Sequence, residues 1–375
     1  MLERQHLKRM SVILAAGVAL TACSGTATSE PSADDGADSV TCSNIAQIAE
    51  WPLKRRVSQL LMGAVNTDQG GQVVDAAIKA ISQRKVTGVN FLGTNVAGVV
   101  GDRLAQAVDA GGEVPPLLAV DEEGGQVQRL SAVTGFVPSA REMSQAMTPQ
   151  QVEKQGREIG NAMQDLSLNM DFAPVVDVGS SAIGDRTFSD NPEVVTEYAG
   201  AFAEGLRKAD VIPTLKHFPG LGSATGNTDF QPATTPPIGQ LEETDLIPYE
   251  FLLDADPVTV MFSNAVVPGL TQDEPASLSK AAYQLLREDL AFDGVALTDS
   301  LTAAAISSEY SEPQAAALAI GAGADIALWD DLTQADAANK QVRKAVKNQQ
   351  ISEDQLHTSV ARVLELKGVD LCSGR

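Results

Sequence analysis

The sequence predicts an α/β protein that folds as a single-domain, TIM-like (β/α)8 barrel. Short apolar runs of strand length recur eight times along the chain, and amphipathic segments of helical length separate them. This alternation is typical of a parallel sheet covered by helices. Eight repeats favour a closed barrel over an open doubly wound sheet, and no Gly-x-Gly-x-x-Gly motif of a dinucleotide fold follows an early run.

The strands and helices can be placed from these patterns. The predicted strands are residues 60–65, 88–93, 116–120, 170–176, 212–215, 258–262, 294–297 and 325–328. The predicted helices include residues 72–83, 149–165, 192–208, 280–289, 312–322 and 352–366. Ligands of parallel barrels bind in the loops at the carboxyl ends of the strands, so functional residues are expected there.

The first 23 residues predict a bacterial lipoprotein signal. A basic start precedes a short apolar run at 11–20, and Leu20-Thr21-Ala22-Cys23 fits the lipobox, in which the Cys becomes lipidated after cleavage. A secretory signal with a chance Cys is the alternative. Residues 24–41 are small and polar and predict a disordered tether, so the barrel domain would span 42–375. We expect an exported, extracytoplasmic protein that is anchored to the cell membrane.

Charge and composition limit the classes of molecule that the protein is expected to bind. The net charge of −22 argues against binding to nucleic acid or, through basic patches, to an anionic membrane. Contact with the membrane is therefore expected through the lipid alone, and we expect a monomer. The 43% hydrophobic share is enough for a sizeable core.

The other two cysteines lie near the ends of the predicted barrel domain, at Cys42 and Cys372. An exported pair is typically oxidised, and the two ends of a closed barrel are neighbours, so we expect a Cys42–Cys372 disulfide. Two free thiols are the alternative. No His or Cys lies nearby at ligand spacing, so no metal site is expected.

Charged residues follow several predicted strands. The fifth strand ends in Lys216-His217, and Pro219-Gly220 then interrupts regular structure. Neighbouring side chains on a strand point to opposite faces, so both reach one site only if the chain bends, and Pro219-Gly220 is the expected bend. Asp299 ends the seventh strand, where capping of the next helix is as reasonable as catalysis.

These strand ends carry motifs that together resemble family 3 glycoside hydrolases. The motifs are Asp121-Glu122-Glu123-Gly124-Gly125-Gln126-Val127-Gln128-Arg129, Gly184-Asp185-Arg186, Lys216-His217-Phe218-Pro219-Gly220 and Leu297-Thr298-Asp299-Ser300. The resemblance covers roughly residues 51–368 and is nearest to the N-acetyl-β-glucosaminidases that act on peptidoglycan fragments. It implies a TIM-like barrel, a retaining mechanism and no cofactor.

The resemblance also implies roles for individual residues. Asp299 matches the nucleophile of the family. The positions that match its substrate-binding residues are Asp121, Arg129, Arg186, Lys216 and His217. The implied substrate is a terminal β-linked N-acetylglucosaminide of a muropeptide fragment. A local ion pair with Asp185 or Asp190 is an alternative role for Arg186.

The sequence departs from this branch at the acid/base. The branch has Asp-x-His in a loop after the Lys-His motif, and this chain has Asn227-Thr228-Asp229. Asp229 is therefore the expected acid/base, with Glu122 and Glu123 as rivals, although a solvated loop residue is also consistent. If Asp229 is not catalytic, the protein is slow, uses His217, or binds sugar without turnover.

Other activities on the same fold remain open. A β-glucosidase is one, because no motif identifies a pocket for the N-acetyl group. A glycoside phosphorylase is another, because Lys216 and the arginines offer charges to a phosphate. A non-catalytic sugar-binding lipoprotein is the third.

Overall fold

The computed structural model describes residues 45–369 of the chain. The predicted signal with Cys23, the tether and the predicted Cys42–Cys372 pair lie outside the described residues. Within 45–369, none of the helices combines the length and apolar character that a membrane crossing requires.

Eight parallel strands form the centre of the fold. They are β1 (Leu61–Asn66), β2 (Gly88–Leu92), β3 (Leu117–Val120), β4 (Met170–Asp171), β5 (Ile212–Phe218), β6 (Thr259–Phe262), β7 (Ala296–Thr298) and β8 (Ala327–Trp329). The strands are hydrogen-bonded in the order β8-β1-β2-β3-β4-β5-β6-β7. A parallel bridge between Leu297 and Ile326 joins the two outer strands, which confirms the predicted TIM-like barrel.

Helices surround the strands. They are α1 (Ile45–Glu50), α2 (Leu53–Ser58), α3 (Gln72–Ser82), α4 (Val96–Val100), α5 (Leu104–Gly111), α6 (Ser131–Thr134), α7 (Ala140–Ala146), α8 (Pro149–Asp165), α9 (Pro192–Arg207), α10 (Ile238–Leu241), α11 (Leu246–Leu252), α12 (Lys280–Gln284), α13 (Ala304–Ser307), α14 (Glu312–Ala322), α15 (Ala335–Lys347) and α16 (Glu353–Leu366). The predicted helix at 280–289 is α12 followed by a π-helical turn, Leu285–Asp289.

Local sequence signals explain where several helices begin. The Ser139 side chain accepts from the Glu142 amide at the start of α7, and the Glu142 carboxylate accepts from the Ser139 amide in return. Thr148 and Gln151 make the same reciprocal pair at the start of α8, where Pro149 occupies the first turn. Such capping boxes pair amide donors that a helix leaves free.

Helices α8 and α9 pack closely because glycines face each other between them. A methyl group on Gly205 would lie 2.1 Å from the Glu153 carbonyl oxygen, and one on Gly156 would lie 2.5 Å from that of Phe202. The two backbones therefore approach more closely than any larger residue allows. Helix α9 in turn packs against β5, the strand that contains Lys216.

A short antiparallel hairpin that the sequence patterns did not predict follows β3. It pairs Glu122–Gly124 with Val127–Gln128. The hairpin projects the Asp121–Arg129 motif beyond the end of the barrel and places acidic and basic side chains above the strand ends.

Candidate functional site

A cavity of about 400 Å³ lies at the carboxyl ends of the strands and is open to solvent. Its wall contains every catalytic and substrate-binding residue that the resemblance implied: Asp121, Arg129, Arg186, Lys216, His217, Asp229 and Asp299. The strand-end loops thus bring together residues that are up to 178 positions apart in the chain (121 to 299).

Lys216 and Arg186 share one carboxylate on the hairpin. The Lys216 ammonium lies 2.6 Å from a Glu123 oxygen and 2.9 Å from Oδ1 of Asp121. Arg186 donates from Nε and Nη2 to the two Glu123 oxygens, at 2.8 Å each. Glu123, not Asp185 or Asp190, is therefore the ion-pair partner of Arg186. This network fixes both cations at the base of the cavity.

The same network excludes Glu123 as a proton donor. Burial alone would raise the pKa of Glu123, but the charges and hydrogen bonds of Arg186 and Lys216 hold that pKa far below its usual range. Burial opposes the charge on Lys216, yet Asp121 and Glu123 outweigh it and raise the pKa of Lys216 to about 12. Both groups stay charged at neutral pH.

Glu122 has a structural position. Its side chain is fully buried, and one carboxylate oxygen accepts from the amides of Arg129 and Leu130 at 2.6 and 2.7 Å. The other oxygen accepts from the Thr134 hydroxyl at 3.1 Å. Burial raises its pKa against these hydrogen bonds. Glu122 holds the segment that carries Arg129, and it does not line the cavity, so it does not meet the requirements of an acid/base.

Lys216 and His217 both reach the cavity from the carboxyl end of β5. The pairing register of β5 with β6 shifts between Lys216 and Phe218, before Pro219-Gly220. The Lys216–His217 peptide bond is cis. The register shift is thus an irregularity ahead of the predicted bend, and the strand itself ends at Phe218, directly before Pro219-Gly220.

His217 is oriented by a carboxylate that the sequence analysis did not assign to the site. Its Nδ1 lies 2.7 Å from Oδ2 of Asp177, whose side chain is fully buried. The other Asp177 oxygen accepts from the amides of His217 and Leu221, at 3.2 and 2.7 Å. Because Nδ1 is engaged, Nε2 is the ring nitrogen left for the cavity.

Asp299 stands at the end of β7 and does not cap a helix. Its amide donates to the Phe262 carbonyl at 2.9 Å, and its Oδ1 accepts from the Ser300 amide at 2.7 Å. The next helix, α13, starts only at Ala304. Burial, reinforced by the charge of Asp229, raises the pKa of Asp299 to about 6, although His217, the Ser300 amide and Lys216 oppose the shift.

Asp229 lies on an exposed loop that is fastened beside the Asp299 segment. Its amide donates to the Asn227 side chain at 2.9 Å, so Asn227 orders the turn. The Ala304 amide donates to the Asp229 carbonyl at 3.2 Å, and the Ala305 amide donates to that of Thr228 at 3.1 Å. The loop is thereby bound to the start of α13, which places the Asp229 carboxyl in the same cavity as Asp299.

Sequence reasoning missed several polar residues of the cavity wall, and Asp330 and Asn90 are two of them. Asp330 follows β8 and accepts from the Ser300 hydroxyl at 2.8 Å; burial and the charges of Asp121 and Asp229 raise its pKa. Asn90 lies within β2. Their signals were an acid directly after the eighth apolar run and a lone amide inside the second.

The described part of the chain contains no group of three or more His, Cys, Asp or Glu side chains placed to hold a metal ion. The chemistry that the cavity offers is that of two carboxyl groups, Asp299 and Asp229, facing a space lined by fixed hydrogen-bond donors and acceptors. Pairs of carboxyl groups in an open polar cavity are typical of glycoside cleavage.

Comparisons with known proteins agree with this chemistry. The chain is 38% identical to "Beta-hexosaminidase LpqI" of Mycobacterium tuberculosis, over 98% of this chain and 99% of the relative. It is 32% identical to a "Beta-hexosaminidase" of Stenotrophomonas maltophilia, over 72% of this chain and 82% of the relative.

Solved structures show the same fold. The structure of M. tuberculosis LpqI matches with a TM-score of 0.81 at 39% identity, over 86% of this chain and 96% of that one. A β-N-acetylhexosaminidase from Beutenbergia cavernae matches with a TM-score of 0.76 at 32% identity, over 86% of this chain and all of that one. The family model described as "Glycosyl hydrolase family 3 N terminal domain" matches residues 52–366. The chain therefore belongs to glycosyl hydrolase family 3.

Proposed function

We propose that the protein is a retaining β-N-acetylhexosaminidase that removes terminal β-linked N-acetylglucosamine from cell-wall fragments. The observation that carries the proposal is the placement of Asp299 and Asp229 in one cavity, close enough for the charge of Asp229 to raise the pKa of Asp299. The names of the hexosaminidase relatives support the choice of sugar.

The mechanism follows from these two groups. The Asp299 carboxylate attacks the anomeric carbon, the bond to the aglycone oxygen breaks, and Asp229 gives its proton to that oxygen. Asp229, now ionised, then takes a proton from water, whose oxygen displaces Asp299 from the glycosyl-enzyme. Two displacements at one carbon retain its configuration.

The surrounding residues bind the sugar in this proposal. Asp121 accepts hydrogen bonds from hydroxyl groups, while Lys216, Arg186 and Arg129 donate them. His217, held by Asp177, presents Nε2 as a further polar contact. Because the cations are already fixed by Glu123 and Asp121, little ordering is needed when substrate binds.

The location of the enzyme is proposed on the sequence alone. We infer lipidation of Cys23, a tether over 24–41 and a Cys42–Cys372 disulfide in a monomeric, exported protein. An envelope location would place the catalytic domain near peptidoglycan fragments. No part of this inference depends on the cavity geometry.

The function is tested with two aryl glycosides, a β-N-acetylglucosaminide and a β-glucoside, each assayed with and without phosphate. We expect the N-acetylglucosaminide to be cleaved at least tenfold faster and phosphate to have no effect. Faster cleavage of the glucoside would indicate a β-glucosidase. Acceleration by phosphate with release of a sugar 1-phosphate would indicate a phosphorylase, and binding without turnover would indicate a sugar-binding protein.

The pH dependence gives a separate test of Asp299. Its pKa is raised to about 6, so the attacking carboxylate is present above that pH and is lost below it. With a dinitrophenyl glycoside, whose departure needs no proton, kcat/KM should be level above pH 6 and fall about tenfold per unit below it. A level profile down to pH 4.5, in protein that circular dichroism shows to be folded, would contradict this assignment.

A further inference from the structure

Three buried polar atoms in the cavity wall lack a hydrogen-bond partner. Within residues 45–369, seven buried side-chain atoms have none, and the three in this wall are Asn90 Oδ1, Arg129 Nε and Thr228 Oγ1. Such groups destabilise a fold unless something supplies the missing bond. Their concentration in one wall indicates contacts that a ligand completes.

Asn90 is the most informative of these residues because donor and acceptor roles determine which atom of its side-chain amide faces Asp121. Its side-chain nitrogen lies 3.4 Å from Oδ2 of Asp121. An ionised carboxylate only accepts hydrogen bonds, so the nearer amide atom must be the NH₂ group. The amide oxygen is then the atom without a donor, and the residue is only 2% exposed.

The barrel provides space for this side chain. In the strand register Asn90 lies between Ala64 on β1 and Ala119 on β3. Alternate residues of β2 share a face, and the two alanines occupy little volume on either side of the amide. The register therefore places no bulky side chain directly beside the Asn90 amide on either neighbouring strand.

We propose that Asn90 is a substrate-reading residue that, together with Asp121, accepts hydrogen bonds from two neighbouring hydroxyl groups of the bound sugar. The inference rests on the proposed glycosidase function and extends it to a named contact. The Asn90 amide bridges Asp121 on one side and the sugar on the other. Lys216, 2.9 Å from the other Asp121 oxygen, donates beside this acceptor pair.

The test compares Asn90→Leu with wild type on the parent aryl β-N-acetylglucosaminide and on its 3-deoxy, 4-deoxy and 6-deoxy analogues. Leu keeps the branching and the number of side-chain heavy atoms and removes the acceptor. We expect kcat/KM for the parent to fall about tenfold, the value of one hydrogen bond. For one analogue the ratio of the wild-type kcat/KM to the variant kcat/KM should approach one, because that analogue already lacks the hydroxyl that donates to Asn90.

Asn90→Asp separates the two roles of the amide. It keeps an acceptor oxygen but loses the NH₂ group that donates a hydrogen bond to Asp121. This variant should still discriminate against the same analogue. If both variants instead lose activity by one common factor on all four substrates, Asn90 only supports Asp121 and the proposal is overturned.

Thr87→Val is the matched control. Thr87 is also 2% exposed and also has a side-chain oxygen without a partner, but it lines a separate cavity that also contains Lys367. It should leave kcat/KM unchanged on every substrate. Ratios between substrates on one protein do not depend on how much of that protein is folded.

The outcome remains readable if the proposed function fails. Wild type that cleaves none of the parent substrate would count against the glycosidase and not against the contact. Calorimetric binding of the methyl glycosides to wild type and Asn90→Leu then makes the same comparison without turnover. Equal losses of affinity for all the sugars would again overturn the proposal.

Discussion

Replacing Asp299 with Asn should reduce turnover by about 10⁴-fold or more on every glycoside, because the amide cannot form the glycosyl-enzyme. A 2-deoxy-2-fluoro glycoside with a good leaving group should label wild type on the peptide that contains Asp299, as seen by mass spectrometry. Asp330→Asn, the same change at another carboxyl of the cavity, should cost far less. Label on a different residue would defeat the assignment.

The Asp299→Asn variant should also be more stable than wild type at neutral pH. Because its folded pKa is raised to about 6 from 3.8, Asp299 destabilises the fold increasingly as pH rises from about 4 to about 6. The full shift corresponds to about 3 kcal/mol, and screening in the open cavity reduces this to about 2 kcal/mol. Thermal unfolding should show the gain at pH 7 and none near pH 4. Lower stability at pH 7 would contradict the raised pKa.

Replacing Asp229 with Ala should have the second largest effect, and the effect should depend on the leaving group. Aglycones that need a proton should be released 10²–10⁴-fold more slowly, about 3–5 kcal/mol of barrier. Activated aryl glycosides should still form the glycosyl-enzyme, which then accumulates because no base activates water. Azide needs no base and should restore turnover as a β-glycosyl azide.

Asn227→Ala provides the control for loop damage. It removes the side-chain acceptor of the Asp229 amide but leaves the carboxyl in place. It should lower activity on good and poor substrates alike, without azide rescue. A loss of less than about threefold for Asp229→Ala on every substrate would show that Asp229 is a bystander.

The fold was predictable because its signals are local. Each barrel strand is a short apolar run between amphipathic helices, and each of the eight predicted runs overlaps one observed strand. The register shift between Lys216 and Phe218, ahead of Pro219-Gly220, had no such signal. Local residue preferences do not report on pairing with a neighbouring strand.

The sequence predicted which residues belong to the site but not the contacts between them. The sequence placed Lys216 and Arg186 at strand ends, but their shared partner Glu123 depends on contacts across 63 and 93 positions. Glu122 and Glu123 looked equivalent as acids, but Glu122 accepts from backbone amides whereas Glu123 pairs with Arg186 and Lys216. Asn90 was missed because a lone amide in an apolar run, although visible, does not show which residues of other strands lie beside it.

The main-chain hydrogen bonds between the Asp229 loop and α13 bear on the anomeric configuration of the product. In glycosidases with two carboxyl groups, the separation of those groups decides whether the product keeps or inverts its anomeric configuration. Here the loop is held near the Asp299 segment by the Ala304 and Ala305 amides, which are main-chain groups. Under the proposed mechanism, a change of side chain at position 229 therefore leaves the position of the loop, and with it the anomeric outcome, unchanged.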